Sequence, residues 1–154
     1  MATSLLNPAA ASVKKPIARV LVVEDDAEIA NLMQLALSRS LIDATLCHTG
    51  EEALTRLAAE DYDLLLLDIA LPGISGLEVC RLVKANPQFQ DIPVLIVSGQ
   101  GSPENKQEAE RLGAVEFIEK PVTLLRFLSR VMGHLKLKEN REGDVRQLLP
   151  VAAH

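Results

Sequence analysis

The chain has 154 residues, 48% of them apolar, 24% charged and 3% aromatic, with a formal net charge of −5. That length suits one domain with a core of its own, built from Leu, Val, Ile and Ala because there is no Trp. The scarcity of rings speaks against stacking platforms for single-stranded nucleic acid, and the acidic balance lacks the basic footprint that phosphate backbones require.

Residues 1–16, rich in Ala, Ser and Pro, are expected to be a flexible lead-in. Leu5-Leu6 is broken by Asn7-Pro8, and the basic pair Lys14-Lys15 follows the apolar residues, so no signal peptide is read. No apolar run approaches the ~20 residues of a membrane-spanning helix. The fold is expected over 17–137. Val20-Leu21-Val22-Val23 has the length of a buried strand, and Asp26 stands where an N-cap would accept orphan backbone N–H groups. Ile29, Leu32, Met33, Ala36 and Leu37 then recur at helical steps from about Ala27 to Ser40. Ala44 to His48 is a short strand candidate, and Glu51 to Ala59 a helix with Ala53, Leu54 and Leu57 inward. The run Leu64-Leu65-Leu66-Leu67 is the third strand. Leu71-Pro72-Gly73 signals a turn, and Gly76 to Ala85 is a helix expected to bury Leu77, Cys80, Leu82 and Val83. Val94 to Val97 is the fourth strand after Pro93, Pro103 opens a helix to about Leu112, and Gly113 stops it. Val115 to Ile118 is the fifth strand, and Val122 to about Leu137 the last helix. Strands this uniformly apolar are buried on both faces, which predicts an α/β fold: a doubly wound five-stranded parallel sheet between two helical layers.

In such a sheet, ligands bind beyond the C-terminal ends of the strands. Glu24 and Asp25, Asp68, Ser98 and Lys120 follow or end strands one, three, four and five, so neighbouring strands would bring them to one crevice. Carboxylates about 5 Å apart repel by roughly 3 kcal/mol per pair at an effective dielectric near 20. The cluster therefore calls for a cation or a proton. A hard divalent ion with oxygen ligands, Mg²⁺, fits it, and Lys120 adds positive charge. A carboxylate can then act as nucleophile toward phosphorus.

These residues resemble the receiver domain of bacterial two-component response regulators, similar to the chemotaxis receiver, over about Ile17 to Leu137. The motifs are Val22-Val23-Glu24-Asp25-Asp26, Leu67-Asp68-Ile69-Ala70-Leu71-Pro72-Gly73, Val97-Ser98-Gly99 and Glu119-Lys120-Pro121. The resemblance implies a flavodoxin-like sheet with strand order 2-1-3-4-5. It implies that Asp68 accepts a phosphoryl group from a histidine kinase or phosphotransfer protein, and that Glu24, Asp25, Asp68 and the Ala70 backbone carbonyl hold Mg²⁺. Ser98 and Lys120 would contact phosphoryl oxygens. Phe117 would be the aromatic switch residue, with Gly99 leaving it room to swing inward. The Lys120-Pro121 bond would be cis. The output surface would be the face of the fourth helix, fifth strand and fifth helix, acting on a downstream protein target and leaving a homodimer open. Ala70 and Gln100 occupy the positions that help set the lifetime of the aspartyl phosphate.

Cys47 and Cys80 lie far apart without CxxC or His-Cys spacing, which reads as buried apolar residues in a reducing compartment, by default the cytoplasm. His48, His134 and His154 sit in no ligand spacing. Residues 138–154 form a tail too short for an independent effector domain, so a stand-alone receiver or a piece of a longer protein is expected, with no direct nucleic-acid or membrane contact. Two other readings compete. One is an interaction module that is never phosphorylated; the other is an aspartate-nucleophile phosphohydrolase, which would carry a second acid where this chain has Ala70.

Overall fold

Strand β1, Ala18–Val23, is an interior strand of the sheet in the computed structural model, which describes residues 15–141 and side chains through residue 136. Around it follow α1 (Ala27–Arg39), β2 (Ile42–Cys47), α2 (Gly50–Ala59), β3 (Leu64–Leu67), α3 (Gly76–Ala85), β4 (Val94–Ser98), α4 (Pro103–Arg111), β5 (Glu116–Glu119) and α5 (Leu124–Arg141). All strand pairs are parallel and the sheet order is 2-1-3-4-5, as expected. Of the lead-in and the tail, residues 1–14 and 142–154 lie outside the described residues.

Alternation along each strand sorts the core into two layers. Leu21, Val23, Leu65, Leu67, Val94 and Ile96 pack with Ala53 and Leu57 of α2, Val79, Cys80 and Val83 of α3, and Ala109 of α4. Val20, Val22, Leu64, Leu66, Leu95 and Val97 pack on the opposite face with Met33 and Leu37 of α1 and Phe127, Val131 and Leu135 of α5. Both faces of the sheet are covered, which is why the strands read as continuous apolar runs. Cys47 and Cys80 are both buried free thiols.

Side-chain caps set the helix starts. Asp26 Oδ1 accepts from the N–H groups of Glu28 and Ile29 at 3.0 and 3.2 Å, Thr49 Oγ1 from Glu52 N–H at 3.1 Å, and Ser75 and Ser102 cap α3 and α4.

Several boundaries and faces differ from expectation. β2 begins at Ile42 because Ala18 to Val23 register against Ile42 to Cys47. β5 runs from Glu116 to Glu119. The last helix starts at Leu124, since Thr123 Oγ1 accepts from Arg126 N–H at 3.1 Å and so caps it; it continues to Arg141 through residues with good helix propensity. In α3, Val79 is buried where Leu82 was expected, because the inward stripe runs 76-79-80-83 and Leu82 falls at its edge. In α1 the stripe centres on Ala30, Met33, Ala36 and Leu37, which leaves Leu32 51% exposed.

Candidate functional site

Between β1 and β3 the connections part: α1 turns to one face and α3 to the other. That divergence opens a crevice at the C-terminal ends of the strands. The ladder extends one residue into it on both sides. Asp68 N–H donates to Val23 O at 3.1 Å and Glu24 N–H to Cys47 O at 2.9 Å, so Glu24 and Asp68 come out side by side.

Glu24 and Asp68 are only 2% and 5% exposed, whereas Asp25 stands open to solvent. One carboxylate oxygen from each of Glu24, Asp25 and Asp68 lies within 4.8 Å of the others. Lys120 enters from the end of β5, where its backbone N–H donates to Ser98 O at 3.0 Å. Its Nζ donates to Glu24 Oε1 at 2.5 Å and to Asp68 Oδ2 at 2.8 Å. Asp68 Oδ1 accepts from Ala70 N–H at 3.1 Å, and the hydroxyl of fully buried Ser98 helps to lower the Asp68 pKa. Ser98 Oγ accepts from Gln100 N–H at 3.2 Å, which fixes it at the mouth of the β4–α4 loop. The Lys120-Pro121 bond is cis, as expected.

The electrostatics divide the two buried acids. Burial pushes the Glu24 carboxyl above its ordinary value, and the Asp68 charge adds to this, against the lowering effect of Lys120 and the Asp26 amide. Burial also pushes Asp68 upward, but hydrogen bonds from Lys120, Ser98 and Ala70 outweigh it and hold that carboxyl below its ordinary value. For Lys120, burial favours the neutral amine, and its bonds to Asp68 and Glu24 more than reverse this and raise its pKa. Three carboxylates against one ammonium leave two negative charges in excess. The donors are all hard oxygens, and their spacing lets one small divalent cation reach all three acids, so the residues fit Mg²⁺.

Gly76 makes this packing feasible. A Cβ there would collide with the backbone carbonyl of Asp68, and Gly76 N–H donates to Ile69 O at 2.9 Å, drawing the start of α3 against the end of β3. Ala70 lies exposed in the loop between them. Phe117 is half-buried beside Ala109 and its neighbours, with Lys106 Nζ 6.0 Å from its ring centre. A Cβ at Gly99 would meet nothing within 4 Å, so the space next to Ser98 is open.

One contact was not anticipated. His48, to which the sequence assigned no role, places Nδ1 2.9 Å from the Glu24 carbonyl oxygen. The available signal was topological: the residue after β2 must emerge beside the residue after β1. His134, likewise unassigned, bonds Glu116 Oε1 through Nε2 at 2.8 Å, and His154 lies outside the described residues.

The doubly wound sheet carries a lysine clasping two buried acids at its topological switch, and the comparisons place the chain in a family. The chain belongs to the response regulator receiver domain family, whose sequence profile matches residues 20–132. A protein of Vibrio cholerae serotype O1 named "Probable cyclic di-GMP phosphodiesterase" is 36% identical over 123 residues, 80% of this chain and 28% of that protein. The response regulator ArlR of Staphylococcus saprophyticus is 31% identical over 118 residues, 77% of this chain and 52% of ArlR. The chain thus spans about half or less of the length of these curated relatives. Among solved structures, a CheY-like response regulator receiver domain protein of Methanospirillum hungatei superposes with a TM-score of 0.75 at 28% identity, covering 80% of this chain and 98% of that one. No helix among the described residues is long and apolar enough to cross a membrane.

Proposed function

We propose that the chain is a Mg²⁺-dependent phosphoacceptor: Asp68 takes a phosphoryl group from the phosphohistidine of a sensor histidine kinase or phosphotransfer protein. The observation that carries this reading is the convergence of Glu24, Asp25 and Asp68 within 4.8 Å, with Lys120 bonded to two of them. A carboxylate oxygen of Asp68 forms the new O–P bond as the N–P bond of the donor breaks and its imidazole leaves. The depressed pKa of Asp68 keeps it anionic for this attack. Lys120, already bonded to Asp68, and the buried Ser98 hydroxyl would bond the incoming phosphoryl oxygens. Glu24, Asp25, Asp68 and the Ala70 carbonyl would hold Mg²⁺, which when bound would neutralise charge on the transferring group.

The absence of a second acid at Ala70 supports a domain that processes its own phosphoryl group rather than external phosphate esters. Phe117 is the switch residue and α4, β5 and α5 form the output face toward a downstream protein, in a cytoplasmic pathway without direct nucleic-acid contact. Incubation with Mg²⁺ and a small acyl phosphate, followed by intact mass, tests the reading. The parent gains one phosphoryl group and Asp68→Asn gains none; equal adducts on both, or no adduct on the parent, contradict it.

A further inference from the structure

We propose that His48 is a positioning residue for the cation site, holding the acidic turn after β1 in the shape that aims Asp25 into the crevice; this rests on the Mg²⁺ reading above. β2 is the neighbour of β1, so Cys47 and His48 run alongside Val23 and Glu24. Backbone pairing ends with Glu24 N–H donating to Cys47 O at 2.9 Å. The imidazole then takes over from the backbone. Its Nδ1 lies 2.9 Å from Glu24 O, and since a carbonyl oxygen only accepts, Nδ1 carries the proton in this contact. The ring is anchored at its own root, where His48 N–H donates to Glu52 Oε1 at 3.1 Å, at the start of α2.

Glu24 is therefore held at each polar group. Its N–H is taken by Cys47 and its C=O by His48, while its carboxylate accepts from Lys120 Nζ and, at 3.2 Å, from Asp26 N–H. The carbonyl that His48 grips belongs to the peptide linking Glu24 to Asp25, so the plane of that peptide sets where the exposed Asp25 side chain begins. Mg²⁺ demands near-ideal octahedral geometry, and a turned peptide plane misdirects one of its acids. A residue without a donor at position 48 leaves that carbonyl to water and frees the plane to rotate. His48 thus acts through Glu24 and Asp25, without touching the ion.

Calorimetric titration of Mg²⁺ into the unphosphorylated full chain tests the assignment on the parent, His48→Leu and His48→Asn, with thermal melts in chelator to verify folding. Removal of a partner that orients a metal ligand weakens affinity by about tenfold or more, so His48→Leu is expected to bind Mg²⁺ about tenfold more weakly, and His48→Asn, whose amide can replace Nδ1–H, within about twofold of the parent. Equal affinity in the parent and His48→Leu overturns the assignment. So does His48→Asn binding as weakly as His48→Leu, because the hydrogen bond is then not what matters. His48→Ala takes the place of His48→Leu if the latter does not fold. A parent that binds no Mg²⁺ overturns the cation reading itself and this assignment with it, an outcome distinct from failure in the variants alone.

Discussion

Glu24 and Asp68 share one ammonium, yet their environments push them in opposite directions. Glu24 is penalised as a carboxylate by burial, whereas Asp68 has enough donors to overcome the same burial. In chelator at neutral pH, Glu24→Gln is expected to raise the melting temperature and Asp68→Asn to lower it, each by on the order of 1 kcal/mol or ~2–4 °C. The pH dependence follows with opposite signs. The stability that Glu24 contributes is full below its ordinary value of 4.5 and is lost as pH rises through the raised folded-state value. That of Asp68 is present above its ordinary value of 3.8 and is lost as pH falls through the lowered one. Urea unfolding at a series of pH values checks both. A Glu24→Gln variant with the parent's pH profile contradicts the assignment of charge crowding to Glu24. The acids, Ser98 and Lys120 were legible in the sequence because each follows or ends an apolar run, and strand ends are where this architecture places chemistry. His48 was not: the expected strand order already set β2 beside β1, but the strand was read through His48, whereas it ends at Cys47 and leaves His48 at the strand end beside Glu24.

At the scale of elements, the strands were readable because burial on both faces makes them uniformly apolar. The helices were readable from their caps and their 3.6-residue period. What periodicity left open was which residue lies at the centre of each inward stripe. In α1 and α3 the apolar sector is wider than the buried one, so Leu32 and Leu82 were assigned inward and lie at its margin. The junction of β3 and α3 was equally hidden, because Gly76 reads as an ordinary helix start until the Asp68 carbonyl is seen against it. Gly76→Ala is expected to cost about 1–3 kcal/mol by overpacking. Because the collision is with the Asp68 backbone, it should also slow acyl-phosphate labelling of that residue. Urea unfolding together with a labelling time course measures both, and a variant matching the parent in both contradicts the close approach.

For the molecule as a whole, phosphorylation would replace the single charge of the Asp68 carboxylate with the roughly two of an acyl phosphate, a net gain of about one negative charge in a crevice that already holds two in excess. Moving a two-state domain from about 1:99 to 99:1 requires about 5.5 kcal/mol of differential stabilisation. On the proposed function, new bonds from Ser98 and Lys120 to the phosphoryl group would supply part of this and would draw on the β4–α4 loop, next to the open space over Gly99. Lys106 of α4 pairs with Glu119 of β5 at 3.0 Å and lies over Phe117, so a shift at that loop reaches the proposed output face directly. The central claim is that this rearrangement begins with a phosphoryl group on Asp68, delivered with Mg²⁺ present. Borohydride reduction of the acyl-phosphate-treated chain, followed by peptide mapping, tests it most directly. The predicted result is conversion of residue 68 alone to homoserine, dependent on Mg²⁺ and lost in chelator. Conversion at another acid, or none at residue 68 with Mg²⁺ present, would contradict it.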